Sequence, residues 1–207
     1  NTGTAKNTLS ITAGKDISIR ATNTTTSAQG DLTITLGSSA SAFAENWTEG
    51  NKNTLRGNNA ATATNTIALQ AGRNIVLQAN DLLRIEGGSA TASANNYVSA
   101  NHNSNNIVGT NTAKATAGIS LTATTGGITL QATGTGGTIS ISADNQASAL
   151  AYNYVNGSKN NVSGNNSATA GLSITLTAAT DINLAAKQHV YLYANDASAS
   201  AYNSVDA

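Results

Sequence analysis

Few side chains in this chain can do acid–base, nucleophilic or metal chemistry, and their spacing does not bring them together. His102 and His189 have no second His, Cys or carboxylate beside them at a ligand spacing, whereas a zinc-type centre needs three or four converging donors. Asp16 and Asp181 recur at a short corner where Asn74 and Gly127 stand in the equivalent places. That set of residue types makes turns, not acid/base pairs. Cysteine is absent, so there is no thiolate nucleophile and no disulfide. The expectation is a protein that is not an enzyme, with no catalytic residue, no metal and no cofactor.

Amides and aromatics are different, because their spacing does carry meaning. Asn46, Asn96, Asn153 and Asn203 sit at the same place in four related phrases, SSASAFAENWT, SATASANNYV, QASALAYNYV and DASASAYNSV. The steps between them are 50, 57 and 50 residues. Two, four and six residues before each Asn stands an alanine, without exception. On the opposite parity lie Phe43, Trp47, Tyr97, Tyr152, Tyr154 and Tyr202. An amide column facing inward can hydrogen-bond to itself from one copy to the next, sparing the cost of burying each amide alone. An aromatic column facing outward either stiffens its own surface by stacking or forms a contact strip for glycans or a neighbouring filament.

The elements that must position these residues are strands. Apolar residues alternate with Thr, Ser, Gln or Asn at Leu9/Ile11, Ile67/Leu69, Ile119/Leu121 and Ile174/Leu176, and again at Ile17/Ile19, Ile75/Leu77, Ile128/Leu130 and Ile182/Leu184. A period of two marks a strand with one buried face. Short corners such as Ala-Gly-Lys-Asp (13–16) separate the runs, and Gly57, Gly109 and Gly164 mark another equivalent corner. No helical stripe is present. A repeat of roughly 53 residues therefore predicts an all-β, parallel β-solenoid (β-helix), one segment over 1–207 with repeats at about 1–63, 64–115, 116–170 and 171–207. With coils of roughly 20 to 28 residues stacked about 4.8 Å apart, the segment would be a rod about 35 to 50 Å long.

Charge excludes several partners. Ten basic and ten acidic residues balance to zero, and only 10% of the chain is charged, so no electrostatic footprint for nucleic acid exists. No apolar run is long enough for a helical membrane span. Without an initiator Met or signal peptide, residues 1–207 read as a window from a longer repetitive protein.

The phrases ITAGKDISIRA, LQAGRNIVLQA and LTAATDINLAA resemble the haemagglutinin-type repeats of filamentous haemagglutinin and related two-partner-secreted bacterial adhesins. The resemblance covers a quarter to a third of each unit; the Ala/Ser phrase and the Asn-rich arc depart from it. It implies a right-handed winding, secretion to the cell surface and a long adhesive fibre. The expected function is thus a structural or adhesive extracellular fibre, with copies of itself (end to end or lateral) and surface glycans as partners. The alternative is a carbohydrate-binding or carbohydrate-processing β-helix, which would need a cluster of charged groups in one groove. A third class, an ice- or surface-binding solenoid, would need regular threonine ranks such as Thr22/Thr24/Thr26 and Thr62/Thr64/Thr66.

Overall fold

The computed structural model describes residues 1–21, 30–50, 52–99, 104–143, 146–157 and 160–206. The described residues form 19 strands and no helix. The first coil holds β1 (Thr2–Ala13), β2 (Ile17–Ala21), β3 (Leu32–Thr35), β4 (Ala40–Glu49) and β5 (Thr54–Arg56). The second holds β6 (Asn59–Ala71), β7 (Ile75–Ala79), β8 (Leu82–Glu86), β9 (Ala90–Ser99) and β10 (Asn106–Val108). The third holds β11 (Asn111–Ala123), β12 (Ile128–Ala132), β13 (Thr138–Ala143), β14 (Ala147–Asn156) and β15 (Asn161–Ser163). The fourth holds β16 (Asn166–Ala178), β17 (Ile182–Ala186), β18 (His189–Ala194) and β19 (Ala197–Asp206).

Each strand pairs in parallel with its counterpart one coil away, which makes the chain a parallel β-solenoid. Sheet A is β1-β6-β11-β16, sheet B β2-β7-β12-β17, sheet C β3-β8-β13-β18, sheet D β4-β9-β14-β19 and sheet E β5-β10-β15. One sequence repeat is one full coil: Thr2 pairs with Ala60, Asn59 with Asn111, and Asn111 with Asn166. The expected coil of 20 to 28 residues is therefore wrong by a factor of about two, because five strands and their corners fit into each turn. Four coils at about 4.8 Å stand only about 19 Å tall, whereas a 13-residue strand is about 43 Å long. The four-coil segment is wider than it is tall. Expected repeat boundaries at 63/64, 115/116 and 170/171 fall inside β6, β11 and β16; the joints between coils lie at the glycine corners before them.

Register survives unequal coil lengths because the length difference falls between strands and not within them. Between β2 and β3 the chain runs from Ala21 to Leu32, but between β7 and β8 only from Ala79 to Leu82. Ile17 and Ile75 are still register partners, as are Ile34 and Ile85.

The cross-section has three zones. Ile67, Leu69, Ile75, Leu77, Leu83, Ile85 and their third-coil equivalents fill an aliphatic lobe bounded by sheets B, C and the C-terminal half of sheet A. Each such side chain stabilises the fold by about 1.5–3 kcal/mol when fully buried. In the N-terminal half of sheet A, a run of alanines faces the alanines of sheet D, Ala61, Ala63, Ala113 and Ala115 against Ala90, Ala92, Ala147 and Ala149. Where methyl groups meet along this run, Cα atoms of β6 and β9 come within 8 Å, closer than the roughly 10 Å of ordinary stacked sheets. Beyond this neck, Val98, Ile107 and Val155 close the far end against sheet E.

Candidate functional site: a buried amide ladder beneath an aromatic face

Sheet D carries both columns singled out in the sequence, one on each side. Asn46 Nδ2 donates to Asn96 Oδ1 at 2.8 Å, Asn96 Nδ2 to Asn153 Oδ1 at 2.9 Å, and Asn153 Nδ2 to Asn203 Oδ1 at 2.9 Å. Asn96 and Asn153 are fully buried. The inward parity therefore holds through the alanines and the asparagines alike.

A second amide column, not anticipated, faces the first from sheet A. Asn59 Nδ2 donates to Asn111 Oδ1 at 3.1 Å and Asn111 Nδ2 to Asn166 Oδ1 at 3.0 Å. The two columns interlock: Asn59 donates to Asn96 Oδ1 at 2.9 Å, Asn96 to Asn111 Oδ1 at 3.1 Å, and Asn111 to Asn153 Oδ1 at 2.9 Å. Backbone carbonyls take further bonds, from Asn96 to Gly57 O and from Asn153 to Gly109 O, each at 3.2 Å. Gly57, Gly109 and Gly164 indeed form the corner, and they must be small. A Cβ on Gly109 would stand 2.8 Å from Asn96 Nδ2 and run into the carbonyl of Gly57. The signal for the second column was present: an Asn stands two residues after each of these glycines. The column breaks only at the first coil, where Asn1 turns its amide to Glu45 O and Asn46 Oδ1 and leaves Asn59 Oδ1 buried without a partner.

Outside sheet D, register aligns Trp47, Tyr97, Tyr154 and Ser204 in one column and Glu45, Asn95, Tyr152 and Tyr202 in the next. Tyr97 and Tyr154 stack with centroids 5.2 Å apart and planes 10° apart; Tyr152 and Tyr202 stack at 5.3 Å and 7°. Stacking turns these ring faces toward one another along the solenoid axis, so they are not open to a ligand. Phe43 and Trp47 belong to neither stacked pair and are 60% and 58% exposed. One residue departs from the outward parity. Asn95 is buried, its amide donating to Glu45 Oε1 at 2.9 Å and its oxygen accepting from Ser93 Oγ at 3.0 Å.

The strands of sheet D carry three carboxylates, Glu45, Glu49 and Asp206, and no Lys or Arg. Burial first, and then the charge of Glu45, raise the Tyr152 phenol above its ordinary value of 10.0. Burial also raises Tyr154, as does its hydroxyl's hydrogen bond to Asp206 Oδ2 at 3.2 Å.

The remaining polar residues hold corners. Asp16 Oδ1 accepts from the Asn74 backbone N–H at 3.1 Å and Asn74 Oδ1 accepts from the Gly127 N–H at 3.0 Å, so this column ties coil to coil as turn residues do. The Asn74 amide, with Arg73 at 2.5 Å, lowers the Asp16 pKa from 3.8. His189 is exposed on β18 against Tyr191; His102 lies outside the described residues. Thr62, Thr64 and Thr66 face outward from sheet A, but Lys114, Lys6 and Gly118 interrupt their ranks in neighbouring coils. Thr22, Thr24 and Thr26 lie outside the described residues. Among the described residues no three His, Cys, Asp or Glu side chains gather in a metal-binding group, and no helix is long and apolar enough to cross a membrane.

No family model, curated protein or solved structure matches the chain.

Proposed function

We propose that the chain is a segment of a structural and adhesive extracellular fibre that acts through length and through contacts repeated along one face. The observation that supports this is the register of sheet D, which sets equivalent outward residues one coil apart, with Phe43 and Trp47 the most open aromatics on that face. A face of this kind offers many weak contacts at fixed spacing, and linked weak contacts raise avidity by 10²–10⁴-fold without any strong single site. Surface glycans are the natural ligand class, since open aromatic rings contact sugar C–H groups while nearby amides and hydroxyls take hydrogen bonds. Secretion and kinship with haemagglutinin-type adhesins are part of the same proposal, resting on the AGKD-type phrases.

The test is binding of the purified chain to a glycan array and to polysaccharide-coated surfaces. Replacing Phe43 and Trp47 together by Ala is expected to weaken retention about tenfold, and adding one more coil to strengthen it. Retention unchanged by the double substitution but lost on replacing Thr62, Thr64 and Thr66 would place the contact on sheet A and overturn the assignment.

A further inference from the structure

We infer that the outer face of sheet A is an ice-binding face, its occupant the ordered water at the surface of an ice crystal. This activity goes beyond the fibre function proposed above and lies across the alanine neck from sheet D.

The strands of sheet A pair residue for residue over 12 or 13 positions without a bulge. Their inward residues are held in the alanine neck and the aliphatic lobe, so parity sends every second side chain outward. Of these 24 outward positions 13 are threonine and four are serine. None is a carboxylate or an aromatic ring, and Lys6 and Lys114 are the only charges. Strands β6 and β11, each paired on both sides, carry six of the threonines. The other long face, on sheet D, presents rings and carboxylates instead.

Register sets the hydroxyls on a grid. Thr4 lies beside Thr62, Thr8 beside Thr66, Thr64 beside Thr116 and Thr122 beside Thr177. Neighbours in adjacent coils stand about 4.8 Å apart, and alternate residues along a strand about 6.6 Å apart. Water molecules on the faces of ice repeat at similar distances in two directions, whereas liquid water has no such repeat. Each threonine offers that lattice a hydroxyl that donates and accepts, and a methyl that asks for no partner. Thr62, Thr64, Thr66, Thr116 and Thr122 are half-buried among their neighbours, and β-branching keeps χ1 stiff. Little rotamer freedom is then lost on meeting a rigid ligand, which favours binding.

Interruptions limit the strength and do not erase the grid. Lys114 stands between Thr62 and Thr169, and Lys6 beside Thr64. Over four coils the face measures roughly 40 Å by 20 Å, and its contacts add up as linked weak contacts do.

The test grows ice slowly in a solution of the 207-residue chain and measures the share of protein taken into the ice, against a carrier protein that does not bind. Microscopy of single crystals held just below melting reads faceting. The unmodified chain is expected to be enriched in the ice and to facet the crystals. Thr62→Lys with Thr116→Lys should lose the enrichment and fall to the level of the carrier, and Lys114→Thr should raise it about twofold. Circular dichroism checks strand content in each variant. Lys114→Thr matches the residue type on both sides of it, so it keeps the test decisive even where the double variant fails to fold. Overturning results are round crystals and no enrichment for the unmodified chain, or enrichment that the double variant leaves unchanged. A concentration-dependent dimer that the double variant abolishes, with no effect on ice, would assign the face to a second copy and also overturn the inference. Glycan retention, read above freezing on sheet D, stands or falls separately.

Discussion

Asn96 Nδ2 donates to Asn153 Oδ1 at 2.9 Å although the two residues are 57 positions apart, and both are fully buried in the amide ladder. Asn96 donates to three oxygens and accepts from Asn46 and Asn59. Asn96→Asp would set a charge that cannot donate against three acceptors, and Asn96→Leu would remove one hydrogen bond from each of them and the acceptor of Asn46 and Asn59. Each is expected to cost roughly 3 kcal/mol or more. Asn203→Asp, at the exposed end, should cost less than about 1 kcal/mol. Midpoints of urea unfolding compare them, and equal losses at both positions would deny the ladder its role.

Ala92 and Ser93 are adjacent but face opposite ways, Ala92 fully buried against sheet A and Ser93 on the outer face of sheet D. Ala92→Phe drives a ring into a gap sized for methyl groups and is expected to abolish folding. Ser93→Phe adds to an aromatic surface and should change stability by about 0.5 kcal/mol or less. Circular dichroism and protease resistance read both. The reverse sensitivity would invert inside and outside.

Tyr152 and Tyr154 should ionise late. Their folded values lie above the unfolded value of 10.0, so the neutral phenols contribute stability that is present below that pH and fades as pH rises through the folded values. An ultraviolet titration is expected to show delayed phenolate absorbance in the wild type. Asp206→Asn should move the Tyr154 step down, toward 10, because an anionic acceptor and neighbour is removed.

Deleting residues 59–110 removes one whole coil and brings Asn111 to the place of Asn59, its register partner. The shortened chain is expected to remain β-rich and cooperative, with stability reduced by one coil–coil interface. Deleting only 59–84 leaves strands without partners and should give an unfolded or aggregated product.

Strand content and the inward face were legible because alternation of period two is a local property, and Ala90, Ala92, Ala94 and Asn96 all face inward as that alternation requires. Coil length was not, since alternation counts residues per face and says nothing of how many corners complete a turn. Three-residue strands such as β5, β10 and β15 barely register as alternation, yet they close sheet E. Asn59, Asn111 and Asn166 lay in a polar arc that reads as loop until an opposing column is present to pair with it. Asn95 broke the outward parity because Glu45 and Ser93 give its amide partners on the outer face.

The most direct measurement is a set of through-space proton contacts by NMR on a uniformly labelled sample. Ala92 and Ala149 are register partners on β9 and β14, so short backbone contacts are expected between them and between Ala94 and Ala151. Contacts of Ala92 and Ala94 with residues half a repeat away, and none with Ala149 and Ala151, would contradict one coil per repeat and with it the ladder and the aromatic columns.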